Sequence, residues 1–347
     1  MAVPAIAKSK WLLAALFVLA VGAAAAAGAV GWAWQRIHAP GPLDEARTYV
    51  VPRGAGLRTI ARGLEQAGIL AERRLFLLYA RYRKAHRSLQ AGEFEFPARA
   101  SAADVLDMLV DGKPVLRFVT IPEGLTSREA IALIDAANGL TGTAEVPPEG
   151  SLLPETYTYS YDDDRAALLG RMQDAMRETL AELWEGRADD LPFETPEEAV
   201  ILASIVEKET GVPEERPRVA SVFVNRLRKG MRLQSDPTVI FALTRGEREL
   251  ERPLRFKDLE VDDPYNTYRI KGLPPGPICN PGRASLEAVL NPIETEELYF
   301  VADGNGGHVF ARTLAEHNRN VAEWRKVQRE QRRKARQQER QQQQQQQ

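Results

Sequence analysis

Cysteine is almost missing from this chain of 347 residues: Cys279 stands alone, so neither a disulfide framework nor a cysteine metal cluster can be assembled within it. Histidine is nearly as scarce. His38, His86, His308 and His317 are scattered, and the spacing of the last two suits no ligand pair on one helix, so the sequence calls for no metal and no cofactor. Charge of one sign is lacking too. With 46 basic and 48 acidic residues the formal net charge is -2, which gives no global signal for nucleic acid. The chain has no phosphate-cradling P-loop, no G-x-S-x-G elbow, no H-E-x-x-H helix and no internal repeat, which removes several well-marked chemistries. What remains is a globular composition, 44% hydrophobic and 27% charged.

One long apolar run breaks that ordinary picture. From Trp11 to Trp34 the residues are Leu, Ala, Val and Gly without a charge. Roughly two dozen helical residues at about 1.5 Å each can cross a bilayer core about 30 Å thick. Lys8 and Lys10 precede the run, and Trp11, Trp32 and Trp34 sit near its ends as interfacial aromatics. The positive end stays inside, so the expectation is a single-pass protein of the plasma (inner) membrane with its bulk on the outer, periplasmic side. A cleaved signal peptide competes, because Ala23 to Ala27 contains A-x-A sites; the length of the run favours a retained anchor.

The rest divides by its punctuation. We expect an α+β protein: a cytoplasmic N-terminus (1–10), a transmembrane helix (11–34), a linker (35–47), a small α+β module (48–121), a larger mixed domain (122–327) and a disordered Arg/Gln-rich tail (328–347). In the small module Tyr49 to Val51 and Glu93 to Phe96 read as strands, and Ser101 caps a helix that Gly112 ends. In the larger domain a long amphipathic helix runs from Arg165 to Trp184, an apolar one from Thr195 to Glu209, and another from Glu214 to Lys229. After Gly230 loops predominate. Ser285 is expected to cap a short helix, and the Asp303 to Gly307 turn joins two short strands.

The helix ending at Glu209 carries the chemical signal. Leu202, Ile205 and Val206 lie seven, four and three positions before Glu209, so its carboxylate extends the most apolar stripe, whereas Glu207 falls at that stripe's edge and Lys208 points away. Desolvation disfavours a carboxylate anion and raises its pKa, leaving an acid able to donate a proton near neutral pH. Glu209 is thus the candidate general acid and Glu207 a structural partner. The plain reading is a solvated helix end paired with Lys208 or Arg216. Asn225, Arg226, Gln234, Ser235, Asp236 and Thr238 follow where a cleft could use them, and Tyr265, Asn266 and Tyr268 suit stacking on sugar rings and bonding to N-acetyl groups. Each also has a framework reading, as turn cap or gap filler.

Several ordered strings are familiar together. They are Glu149-Gly150 with Pro154-Glu155-Thr156-Tyr157, Ala203 to Thr210, Val219 to Leu227, Met231 to Ile240, Tyr265 to Tyr268, Gly272 to Ile278, Asn280 to Gly282, and Tyr299 to Asp303. Through them the sequence resembles the YceG-like family of endolytic murein transglycosylases. The likeness spans about 150 residues, and extends more weakly to the membrane segment and to the small module, which looks like a LysM-type domain. It implies cleavage within nascent peptidoglycan strands between N-acetylmuramic acid and N-acetylglucosamine, with 1,6-anhydro ends and termination of strand elongation. It implies Glu209 as catalytic residue and peptidoglycan synthases as partners. Leu152-Leu153 and Phe241-Ala242 depart from the family pattern without touching the catalytic string. Two other readings stay open: a non-catalytic, membrane-tethered peptidoglycan binder that regulates a synthase, and a muramidase using water with Asp236 or Glu155 as base.

Overall fold

A computed structural model describes residues 5–304 and 306–345. The first four residues of the expected cytoplasmic segment, Asn305 of the expected hairpin turn and the last two residues of the tail lie outside it. The architecture is mixed α+β, in two compact units: residues 1–117 with 159–163, and residues 118–158 with 164–347.

The first unit begins with helix α1 (Ala5–His38), of which Leu12–His38 is long and apolar enough to cross a membrane. The helix runs four residues beyond the expected end at Trp34. There Ile37 is buried in the unit's core and Arg36 pairs with Glu72, so the end of α1 is held by packing as well as by its own backbone. Strands β1 (Arg47–Val51) and β2 (Gly92–Phe96) pair antiparallel, with Tyr49 opposite Phe94. Helices α2 (Leu57–Gln66), α3 (Arg73–Tyr82) and α4 (Ala102–Asp111) bury Leu64, Phe76, Leu106 and Leu109 against Phe94 and Phe96. Ser101 forms the expected cap on α4, its Oγ accepting from Asp104 N at 3.1 Å.

Strand β3 (Leu116–Thr120) pairs with β4 (Thr156–Ser160), a strand not expected from sequence, where Tyr157 and Tyr159 alternate with polar residues. Helices α5 (Ser127–Ala136) and α6 (Arg165–Glu185) precede α7 (Pro196–Glu209), in which all eight residues from Ala199 to Val206 are buried. A helix apolar on every side needs neighbours on every side. α8 (Arg216–Arg228) and α10 (Arg283–Leu290) supply most of them. Between them α9 (Asp236–Thr244) replaces the expected loop: Pro237 lies in its first turn, where a missing N–H is harmless. Gly282, not Ser285, stands at the N-cap of α10, and Ser285 is buried inside the helix. Strands β5 (Tyr299–Ala302) and β6 (His308–Ala311) pair antiparallel as expected.

The last helix, α11 (Leu314–Gln345), corrects the expectation of a chain without structure beyond Val327. Gln, Arg, Glu and Lys are strong helix formers, so a segment that cannot build a core can still hold helical backbone once β5 and β6 anchor its start.

Candidate active site

Glu209 is the last residue of α7. After it the backbone turns extended at Thr210, whose Oγ1 accepts from Val212 N at 3.1 Å and fixes the exit. The paired glutamates separate as their positions on the helix imply. Glu207 accepts from Gly282 N at 2.9 Å and from Arg216 Nη2 at 3.3 Å, while Lys208 donates to the Gly124 carbonyl at 3.2 Å. Lys208 and Arg216, the cations expected to pair with Glu209, are therefore engaged elsewhere.

Glu209 lines a cavity of about 540 Å³ together with Arg226, Gln234, Asp236, Tyr268, Tyr299 and His317. By exposed area it is only half-buried, because one side opens on the cavity, but protein encloses it in every other direction. Burial raises its pKa to about 7 and is the largest influence; the Asp236 charge adds to the rise, whereas Ser235, His308 and Arg226 oppose it. The Ser235 hydroxyl faces the carboxyl closely enough to lower its pKa, yet it is buried and lies outside hydrogen-bond geometry with every described residue.

The cavity walls are held by backbone contacts between distant segments. Gln234 sits in the left-handed region at φ 51°, a conformation that costs a non-glycine residue about 1–2 kcal/mol. Its N–H donates to the Thr267 carbonyl at 3.2 Å, and the next N–H, of Ser235, donates to Thr267 Oγ1 at 2.9 Å. That clamp turns Gln234 and Asp236 towards the cavity. Tyr268 Oη donates to Asp236 Oδ1 at 2.6 Å, which joins the 265–268 segment to the start of α9. Arg226 donates from Nε to the Leu298 carbonyl at 2.6 Å and from Nη1 to the Leu233 carbonyl at 2.5 Å, and its guanidinium lies 5.4 Å from the centre of the Tyr299 ring. It is thereby fixed as a buried cation beside Glu209.

Of the residues singled out from sequence, Glu209, Arg226, Gln234, Asp236 and Tyr268 come together. Asn225, Tyr265 and Asn266 do not, and the reasons are physical. The Asn225 amide donates to the carbonyls of Thr295 at 2.8 Å and Glu297 at 3.1 Å, so it secures the approach to β5 and has no donor to spare. Asn266 is wholly buried, its amide spanning the carbonyls of Leu259 and Val261 and its oxygen accepting from Tyr268 N. Tyr265 packs on Phe241 with ring centroids 4.8 Å apart and under the Arg245 guanidinium, away from the cavity. Glu155 likewise lines no part of it.

Tyr299, Phe300, Leu314, His317 and Asn318 complete the wall and escaped the sequence reading. Only the aromatic pair in β5 gave any signal. His308 also escaped: its Nδ1 lies 2.7 Å from Glu215 Oε2 and its N–H donates to Glu215 Oε1 at 2.8 Å. As a set, the arrangement offers one proton donor at near-neutral pH, a buried cation to receive the resulting carboxylate, and aromatic and amide walls.

The model of the YceG-like family matches residues 49–323. An endolytic murein transglycosylase of Bacillus subtilis is 31% identical over 306 residues, covering 78% of this chain and 82% of that protein. One from Streptococcus pneumoniae is 30% identical over 332 residues, covering 81% of this chain and 60% of its own length. A crystal structure of a yceG-like protein from Listeria monocytogenes is 31% identical and covers 80% of this chain and 99% of that one, with a TM-score of 0.47.

Proposed function

This chain belongs to the YceG-like family, and from that premise we propose that it is a peptidoglycan lytic transglycosylase in which Glu209 is both general acid and general base. The observation that carries the reading is a single carboxyl, raised to about 7, opening on a cavity of about 540 Å³. A proton held at neutral pH can be given to the glycosidic oxygen between N-acetylmuramic acid and N-acetylglucosamine, and C1 then acquires oxocarbenium character as the bond breaks.

The carboxylate left behind takes the proton of the C6 hydroxyl of the same muramic residue, whose oxygen closes onto C1 as a 1,6-anhydro ring. Because that nucleophile is already attached, its effective concentration is high and no second carboxylate has to activate water. Arg226 stabilises Glu209 as an anion between the two proton transfers, while Gln234, Tyr268 and Tyr299 form the walls against the sugars. Cleavage inside nascent strands would end their elongation, with a glycan synthase as the natural partner.

A membrane anchor fits the same reading: α1 spans the inner membrane, the rest of the first unit serves as a LysM-like module, and that module and the second unit lie on the periplasmic side. A second reading, hydrolysis, draws support from Asp236, which lines the same cavity and is near enough to raise the pKa of Glu209. Its carboxylate could then activate water, although Tyr268 Oη already occupies one oxygen. The test is turnover of uncrosslinked glycan strands by the full chain and by Glu209→Gln. We expect the variant to fold normally and to lose at least about a thousandfold in kcat, the scale of a missing general acid. Turnover within tenfold of the natural enzyme would rule out the assignment.

A further inference from the structure

Within the first unit, α3 is clasped by the last residues of the apolar helix. Trp34 meets the Tyr79 ring edge-on with centroids 6.3 Å apart, and His38, one turn later, meets the same ring at 5.9 Å. Arg36 pairs with Glu72 just before α3 begins, and Ile37 is buried in the unit's core. The 24 residues from Trp11 to Trp34 extend about 36 Å as a helix, more than a hydrocarbon core of about 30 Å but less than the roughly 40–45 Å that includes both headgroup layers. When α1 crosses a bilayer, Trp34 therefore lies at headgroup depth, and so does the part of α3 that packs against it.

The uncovered face of α3 has a definite chemistry. Helical spacing places Arg74, Leu78, Arg81 and Tyr82 on one exposed stripe, opposite the buried Phe76 and Ala80. Leu78 is 60% and Tyr82 74% exposed, which is unusual for large apolar side chains on a helix that also fills a core. From Arg73 to Arg87 the chain carries Arg73, Arg74, Arg81, Arg83, Lys84 and Arg87 and no acid. Arg73 pairs with Glu65 at 3.2 Å and Arg83 with Asp107 at 3.1 Å. Arg74, Arg81, Lys84 and Arg87 form no ion pair among the described residues. On α1, α2 and α4, the helices packed against α3, the remaining acids are Asp104 and Asp111, and Asp104 is held by the Ser101 cap. Four free cations thus stand against the one free carboxylate of Asp111.

Leucine and tyrosine beside unpaired arginines match the boundary between acyl chains and phosphates, where apolar side chains dip inward and cations meet headgroups. Neutral sugars would leave those charges unanswered. We propose that the outer face of α3 rests on anionic phospholipid headgroups at the bilayer surface from which α1 emerges. The inference rests on the reading of α1 as the membrane anchor. Four cations and two apolar side chains adhere only weakly and reversibly by themselves. The anchor retains the protein at the membrane, and α3 sets how the small module lies on it.

The test uses the full chain reconstituted in vesicles of phosphatidylcholine alone and of phosphatidylcholine with phosphatidylglycerol. Single spin labels are attached through Tyr82→Cys, on the exposed stripe, and through Val18→Cys, in the apolar run; both positions are exposed, and the native Cys279 is wholly buried. Relaxation by oxygen, which concentrates in lipid, against a neutral water-soluble nickel chelate reports the depth of each label. The Val18 label should lie in lipid in both vesicles. The Tyr82 label should be shielded from the chelate at least about fivefold more in the anionic vesicles. Arg74→Glu with Arg81→Glu should abolish that difference, while Arg74→Lys with Arg81→Lys keeps it. A Tyr82 label equally open to the chelate in both vesicles, with Val18 in lipid, would overturn the inference and leave the anchor standing. Equal shielding in both, unmoved by the charge reversal, would overturn it too, since the cations would then play no part. A Val18 label open to the chelate would end the anchor reading and the inference with it.

Discussion

At Glu209 function and stability pull in opposite directions. Its carboxyl has a pKa of about 7 in the folded chain against 4.5 as a free side chain, so the folded state holds a proton that the unfolded state has released. Below about pH 4.5 both states are protonated and burial carries no penalty. As pH rises through 7 the folded state must bear a desolvated anion and loses stability, by an amount on the order of 1–3 kcal/mol for a group half open to solvent. Glu209→Gln should therefore raise the thermal midpoint by a few degrees at pH 8 and leave it unchanged near pH 4, a difference that paired melting curves will show. Activity should fall on the same alkaline side. Because the acid must be protonated, kcat/KM should fall above about pH 7, approaching tenfold per pH unit.

Ser235 offers a sharper check at the same scale. Its hydroxyl has no described partner, so Ser235→Ala should leave stability unchanged or slightly raised. That hydroxyl lowers the Glu209 pKa, so its removal should shift the alkaline limb to higher pH, and Ser235→Thr should restore it. An unmoved limb would mean that the hydroxyl plays no part in holding the carboxylate.

At the scale of elements, α7 was readable because its information is local. Ala199 to Val206 are apolar in an unbroken row, and Glu209 follows Leu202, Ile205 and Val206 at helical intervals, so both the burial and the acid can be inferred without knowing the neighbours. α9 and β4 were harder. Pro237 reads as a loop residue unless the helix is known to begin at Asp236, and Thr156 to Ser160 becomes a strand only through pairing with β3. Asn225, Tyr265 and Asn266 were misplaced for a similar reason. Amides and phenols suit sugars and framework equally, and the carbonyls that claim the Asn225 amide lie 70 and 72 residues away in sequence. Asn225→Ala should accordingly act as a stability lesion. Losing its bonds beneath β5 should cost about 2 kcal/mol in chemical denaturation, with activity recovering at lower temperature. A rise in KM with no change in stability would return Asn225 to the cleft.

At the scale of the molecule, the apolar run announced its own helix, since length and composition suffice for that, while the end of the helix depended on Ile37 and Arg36 finding partners in the first unit. If α1 is the anchor, a chain begun at residue 36 should move from the membrane to the soluble fraction and still cleave uncrosslinked strands. Recovery in the membrane fraction would show that other surfaces hold the protein there. The divided wall of the Glu209 cavity, drawn from α7, α8, α9, β5 and α11, explains why Glu209 could be found from sequence and most of its surroundings could not.

The most direct measurement is the mass of the new chain ends released from uncrosslinked glycan by the natural protein and by Glu209→Gln, side by side. Lytic cleavage by Glu209 requires muramic ends lighter than reducing ends by one water, from the natural protein alone. Reducing ends would mean that water is the nucleophile, and equal release by the variant would mean that Glu209 is not the acid.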